Sequence, residues 1–250
     1  MGKTAEHVYN GLAGLFYIED DYSKSLDIPQ EYGINDIPIV LQDRRVNRNG
    51  EFSFNPSRHD VMQGYIGNIM LTNGALEPSL ELVSGTYRFR ILNGSNSSIF
   101  RVRFSDSRTF SVIASDGGFL PETVKSTSIV LGPGERFEIL LDLEKGSSVT
   151  MITDIYGGES FESLKISTNN LTGKYLKHPE KFNYKQVEFN KKDRERSFNM
   201  ETRGMSRFTI NGKKPDPIYQ GPKDTILLMA NEEVKIALTF KDYTGIYMYH

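Results

Sequence analysis

The chain contains no cysteine. That absence excludes disulfides, thiolate nucleophiles, Cys-based zinc sites and a blue copper centre together, because each requires sulfur as ligand or reactant. Histidine is scarce, with His7, His59, His178 and His250 the only four. No apolar run approaches the ~18 residues expected of a membrane-spanning helix. The opening Met1-Gly2-Lys3-Thr4 lacks the hydrophobic stretch of a secretory signal and leaves the compartment open. Neither sign of charge prevails: 30 basic against 32 acidic residues leave a net charge of −2. Composition therefore gives no support for nucleic-acid or anionic-membrane binding. The sequence also has no G-x-S-x-G nucleophile elbow and no phosphate-binding G-x-x-x-x-G-K-[ST] loop.

What is present is a core and a strand rhythm. Hydrophobic residues make up 38% of the 250, with 15 Phe and 13 Tyr, enough for an ordered interior of one large or two small domains. Tyr87, Phe89 and Ile91 alternate with arginines; Phe100, Val102 and Phe104 do the same. Residues 136–143 and 233–240 repeat the alternation, and 37–42 form an apolar run. Period 2 with aromatic and β-branched residues marks strands buried on one face. Asn73-Gly74, Asn93-Gly94, Asp116-Gly117-Gly118, Gly132-Pro133-Gly134, Gly157-Gly158 and Asn211-Gly212 supply turns between the runs. The pattern predicts an all-β chain, with Phe89, Ile91, Phe100, Val102, Val112, Phe137, Ile139 and Leu141 in the core. Residues 1–19 are expected to be strand, 169–206 a charged irregular linker centred on Lys191–Arg196, and 207–250 three further strands. Carboxylate pairs at Asp20-Asp21 and at Asp142 with Glu144 read as solvated charge beside turns. Asn93, Asn96 and Asn170 begin N-x-[ST] triplets that read as chance.

Several blocks resemble three-domain bacterial multicopper oxidases. Asp36–Arg44 resembles the opening strand of their second domain. Gly67–Gly74, Tyr87–Asn96, Ser115–Leu120 and Leu131–Arg136 resemble that domain's N-G, Y-R-x-R-x-L-N-x-S-N, D-G-G and P-G-E-R blocks, in order. Gly2–Phe16 resembles the stretch after the first-domain His-x-His-Gly motif. Lys241–His250 resembles the last strand, which in that family runs on into a Cys and further His. Arg207–Lys213 and Lys213–Thr225 resemble two separated third-domain segments, so the intervening strands, with their His-Pro-x-His-x-His-Gly motif, are expected to be missing at a junction in Asn211-Gly212-Lys213.

The resemblance implies a cupredoxin-like Greek-key β-sandwich. Residues 1–33 would be a remnant of the first cupredoxin domain and its linker, 34–168 a complete second domain, and 169–250 a linker with an incomplete third. In the family the second domain binds no copper and joins the copper-bearing domains on either side. A working oxidase of this kind uses about ten histidines and a cysteine, so copper belongs to the intact family and no tightly bound copper is expected here. His250 alone matches a ligand position. His7, His59 and His178 read as surface or loop histidines, and the eight Met as packing residues. The implied function is one-electron oxidation of small phenolic or metal-ion substrates coupled to O2 reduction, with this chain an inactive, truncated member. The alternative is a non-catalytic cupredoxin scaffold that binds proteins in the cell envelope.

Overall fold

The computed structural model describes residues 3–183, 194–203, 207–213 and 234–241. Contacts divide the chain into a large unit, Ala5–Tyr184, and a smaller one that holds the last three strands. The large unit contains β1 (Asp36–Arg44), β2 (Ile69–Thr72), β3 (Ala75–Leu76), β4 (Ser79–Asn93), β5 (Phe100–Phe104), β6 (Phe110–Ser115), β7 (Gly118–Ser126), β8 (Ser128–Leu131), β9 (Arg136–Leu143), β10 (Ser148–Ile155) and β11 (Ser160–Thr172). They form two layers, β3-β2-β1-β4-β9-β6-β7 and β4-β11-β10-β5-β8. The expected all-β sandwich is what forms.

Strand β4 belongs to both layers. Its first part pairs in parallel with β11, and its second part lies between β1 and β9. The change of layer falls at Gly85, where φ is +150° and a Cβ would sit 2.7 Å from the Lys174 carbonyl oxygen. Only glycine combines that conformation with so close an approach. The hairpin from β2 to β3 turns on Asn73 and Gly74, both at positive φ, as a two-residue hairpin turn needs.

Between the layers lie Ile39, Leu41, Phe89, Ile91, Val112, Ile139 and Leu141 from one sheet, against Phe100, Val102, Phe104, Met151 and Ile166 from the other. Phe137 is half-buried at the edge of this core. At ~25 cal/mol per Å2 of apolar surface removed from water, this interior is the main source of stability. A second, smaller cluster covers the outer side of β6 and β9: Ile28, Ile113, Ala114, Leu140 and Phe182, with Phe119 stacked on Phe182 at 4.8 Å between ring centroids. Residues 173–183 cross this outer side as a strap. Its main chain is tied by Thr86 N to Lys174 O (3.0 Å), Thr123 N to Glu180 O (2.9 Å) and Phe182 N to Pro121 O (3.1 Å).

Two expectations are corrected. Residues 1–19 contain no strand among those described: Thr4–Tyr9 is a short helix, α1. Its end is fixed by Tyr9, which donates to Arg45 O at 2.7 Å and packs on Phe54 and Tyr65. The charged stretch within 169–206 is not irregular throughout. β11 extends to Thr172, and Arg194–Arg203 is a strand, β12, at the centre of a three-stranded sheet with β13 (Arg207–Ile210) and β14 (Val234–Lys241). Its charges find complements across the parallel pairing with β14: Glu195 lies 3.1 Å from Lys235, and Glu201 3.5 Å from Lys241. Opposite charges on neighbouring strands make a polar strand tolerable. The third strand expected in 207–250 falls outside the described residues, while the residues of the expected junction, Asn211-Gly212-Lys213, form the turn that follows β13.

Candidate functional site

The arginines that alternate with the core residues of β4 are buried too. Arg90 forks onto Asp36, at 2.8 and 2.7 Å, and reaches Glu138 at 2.7 Å; Arg88 Nε bonds Glu138 at 2.9 Å. The registers cause this, since Asp36 lies opposite Arg88 on β1 and Glu138 opposite Arg90 on β9. Two cations and two carboxylates neutralise one another inside the sheet, the condition on which buried charge is tolerated. Tyr17 lies over the Arg90 guanidinium at 4.0 Å and Phe119 over Arg88 at 5.6 Å. Burial, helped by the hydrogen bond to Glu19, pushes the Tyr17 phenol up to about 12. Every cation has its anion, so the network positions strands and has no free group for chemistry.

A second cluster has the make-up of a catalytic site. His178, on the strap, places Nδ1 2.5 Å from Ser111 Oγ and Nε2 3.2 Å from Asp142 Oδ1. Lys125 Nζ donates to Ser111 Oγ at 2.7 Å, and Thr86 donates to Asp142. For a neutral ring the carboxylate fixes Nε2–H toward Asp142, so Nδ1 accepts from the serine hydroxyl. Nucleophile, base and orienting carboxylate thus stand in the right order. Access is what fails. Ser111 is wholly buried, and its main chain is paired to Lys125 on one side and Leu140 on the other. No acyl carbon can come within bonding distance of its Oγ. The cluster is a clasp that closes the strap on the sheet.

The sequence reading of His178 as a plain loop residue is therefore corrected, since it closes the clasp; Asp142 is exposed, as read, and serves the clasp as well. Nothing in the local sequence marked them, because their partners lie 67 and 36 residues away. His7 and His59 are exposed, on α1 and on a short helix at Arg58–Gln63 respectively. His250 lies outside the described residues. Asp20 caps the helix Asp21–Ser25 by accepting from Ser23 N, which holds its carboxyl below the usual range. Asp43 is a buried carboxylate whose Oδ2 accepts from Gly67 N and Ser98 Oγ, both at 2.6 Å. Burial pushes its titration up.

The motif residues also turn out to be structural. Asn93 is buried and donates to Ser98 O and Leu131 O, at 2.8 and 3.0 Å, while its Oδ1 accepts from Ser95. Its amide is thereby closed to glycosylation. Gly134 N donates to Asn93 O, Gly132 N to Glu135, and Arg136 N to Asp116. These blocks knot the loops at one end of the sandwich.

The fold and its loop knots define a cupredoxin-like β-sandwich protein. The Multicopper oxidase family profile matches residues 19–180, well over half of the sequence. The chain belongs to the multicopper oxidase family. Over 149 residues it is 43% identical to the cell division protein FtsP of Sodalis glossinidius and of Pectobacterium atrosepticum, covering 60% of this chain and 31% of each relative. The FtsP of Escherichia coli is 42% identical over the same length. The chain thus spans about a third of the curated relatives it matches. Among solved structures, the laccase-like multicopper oxidase CueO of Ochrobactrum sp. is similar with a TM-score of 0.76 at 33% identity, covering 86% of this chain and 52% of that one. A laccase from Pediococcus acidilactici gives 0.75 at 29% identity, covering 87% and 46%.

The family's type 1 copper does not fit the residues this sequence offers. A type 1 centre needs a thiolate, and there is no cysteine. His178 has both ring nitrogens engaged. No group of three or more His, Asp or Glu among the described residues could hold a metal ion. No helix of the described residues is long and apolar enough to cross a membrane.

Proposed function

We propose that this chain is a non-catalytic cupredoxin scaffold that works by binding another protein, in the setting its relatives' name indicates, bacterial cell division. The observation that carries the reading is the pairing of a fully built sandwich with an absent donor set. Buried ion pairs, strap and loop knots are all in place, while the sequence holds no thiolate and the described residues hold no cluster of imidazoles. Identity of 43% to proteins named for cell division, rather than for oxidation, supports the same direction. The assignment of residues 34–168 to the family's second, connecting domain, with pieces of its neighbours on either side, belongs to this proposal, as does action in the cell envelope.

The second reading, an oxidase acting on small phenolic or metal-ion substrates, is favoured by likeness to laccase-like enzymes. Its chemistry has no support in the donors this chain holds. The test is position in the cell. A fluorescent fusion of the chain, expressed in Escherichia coli dividing normally, is expected to concentrate at the septum. Uniform fluorescence through the cell cycle, with correct folding of the fusion, contradicts the scaffold reading.

A further inference from the structure

Five asparagines are each followed by glycine: Asn10, Asn49, Asn73, Asn93 and Asn211. With no side chain on the next residue, its main-chain nitrogen can approach the asparagine amide carbon, and this makes such residues chemically labile. The structure separates the five into two groups. Asn73 Oδ1 accepts from Val40 N at 2.7 Å, and its Nδ2 donates to Pro38 O at 2.9 Å. Asn93 is wholly buried with its amide engaged by Ser95, Ser98 and Leu131, and a Cβ on Gly94 would lie 3.0 Å from the Gln42 side chain. Asn211 Oδ1 accepts from Asn199 N at 2.8 Å, and its Nδ2 donates to Ser197 O at 3.4 Å. In all three the amide must break its bonds on both sides before it can turn toward the next nitrogen.

Asn10 and Asn49 are different. Both are exposed, and among the described residues neither side-chain amide makes a hydrogen bond. Nothing lies within 4 Å of where a Cβ on Gly11 or Gly50 would stand, so the space around the reacting atoms is open. A single bond holds each glycine nitrogen: Gly11 N to Val8 O and Gly50 N to Asn47 O, both at 3.0 Å. Each closes an exposed turn, the kind of bond that opens locally at little cost. From these observations we infer that Asn10 and Asn49 are sites of spontaneous deamidation, while the fold protects the other three. The glycine nitrogen attacks the asparagine Cγ. A C–N bond forms, and the amide nitrogen leaves with the displaced proton as ammonia. Water then opens the cyclic imide at either carbonyl, giving aspartate or isoaspartate with no change of oxidation state. At Asn49 the product places a new carboxylate in the turn that Asn47 and Glu51 close with a 2.9 Å side-chain bond. The isoaspartate form also lengthens the main chain there, so the bond from Gly50 N to Asn47 O is lost.

The test keeps the full chain folded at mildly alkaline pH, which speeds the attack, and follows each asparagine by mass spectrometry of its peptides. Conversion at Asn10 and Asn49 is expected to run about tenfold or more ahead of the other three, a difference of at least ~1.4 kcal/mol. Electron-transfer fragmentation is expected to find both aspartate and isoaspartate at these two, since direct hydrolysis of the amide gives aspartate alone. In guanidinium chloride all five are expected to convert at comparable rates, because each has glycine next to it. Conversion of Asn73, Asn93 or Asn211 as fast as Asn49 in the folded chain overturns the inference. So does absence of conversion at Asn10 or Asn49, aspartate without isoaspartate, or the same spread of rates in folded and unfolded chains.

Discussion

Single residues decide whether this sandwich tolerates its own interior. Asp36 is fully buried and is the anion on which Arg90 forks. Asp36→Asn leaves two arginines sharing one carboxylate away from water, and is expected to cost about 3–5 kcal/mol in urea denaturation. A loss below 1 kcal/mol would mean water reaches the network. Tyr17 gives a prediction with a sign. Its folded-state titration, pushed up to about 12 by burial first, lies above the ordinary tyrosine value. Folding therefore favours the protonated phenol. Its contribution is complete below the unfolded value of ~10 and is lost as pH rises toward 12. Burial raises Tyr9 and Tyr87 as well, so an ultraviolet titration is expected to show a group of late-ionising tyrosines that is smaller by one in Tyr17→Phe. If all tyrosines ionise together in both proteins, the packing of Tyr17 on Arg90 is wrong. The apolar half of this interior was legible in the sequence, because period 2 places Phe89, Ile91, Phe100, Val102, Ile139 and Leu141 on inward faces. The ionic half was not. Arg88 and Arg90 read as outward residues, and their partners are some 50 residues away in sequence, joined only by register.

Among the elements, the strap is the least predictable from sequence and the easiest to test. Lys177-His178-Pro179 reads as an ordinary polar loop, yet it closes the outer side of β6 and β9 through Ser111, Lys125 and Asp142. His178→Ala is expected to destabilise by about 1 kcal/mol, the net worth of its hydrogen bond to buried Ser111, since the exposed Asp142 carboxylate can turn to water. Amide exchange at Thr123 and Phe182, whose bonds tie the strap to the sheet, is expected to quicken more than exchange in β4. Unchanged exchange at both would show that Phe182 and its neighbours hold the strap without the clasp. Strand positions in the large unit followed from alternation and turn chemistry, with β9 expected and found at 136–143. β12 escaped because its alternation is of charge rather than hydrophobicity, and only pairing with β14 shows that the signs match. α1 escaped because resemblance to a strand-bearing stretch says nothing of how Tyr9 anchors on Arg45.

For the whole molecule, the family was legible from the order of its loop blocks, and the reason is now physical. Those Asn, Gly and Asp residues knot the turns that let two sheets close on one another. Limited proteolysis is expected to leave a resistant product close to Ala5–Tyr184, the larger unit. First cuts inside residues 86–143 would contradict that division. The site was less legible than the fold, since the only sequence match to a ligand was His250 and the structure's own polar centre is the His178 clasp. The account's central claim is a family fold without the family's redox metal chemistry. Its most direct test is to incubate the purified chain with copper, remove the excess, and measure bound metal, the visible spectrum and phenolic dye oxidation on one sample. The account predicts less than one tightly bound copper per chain, no intense blue absorption and no turnover beyond that of free copper ions. A blue, stoichiometrically loaded protein with saturable oxidase turnover would contradict it.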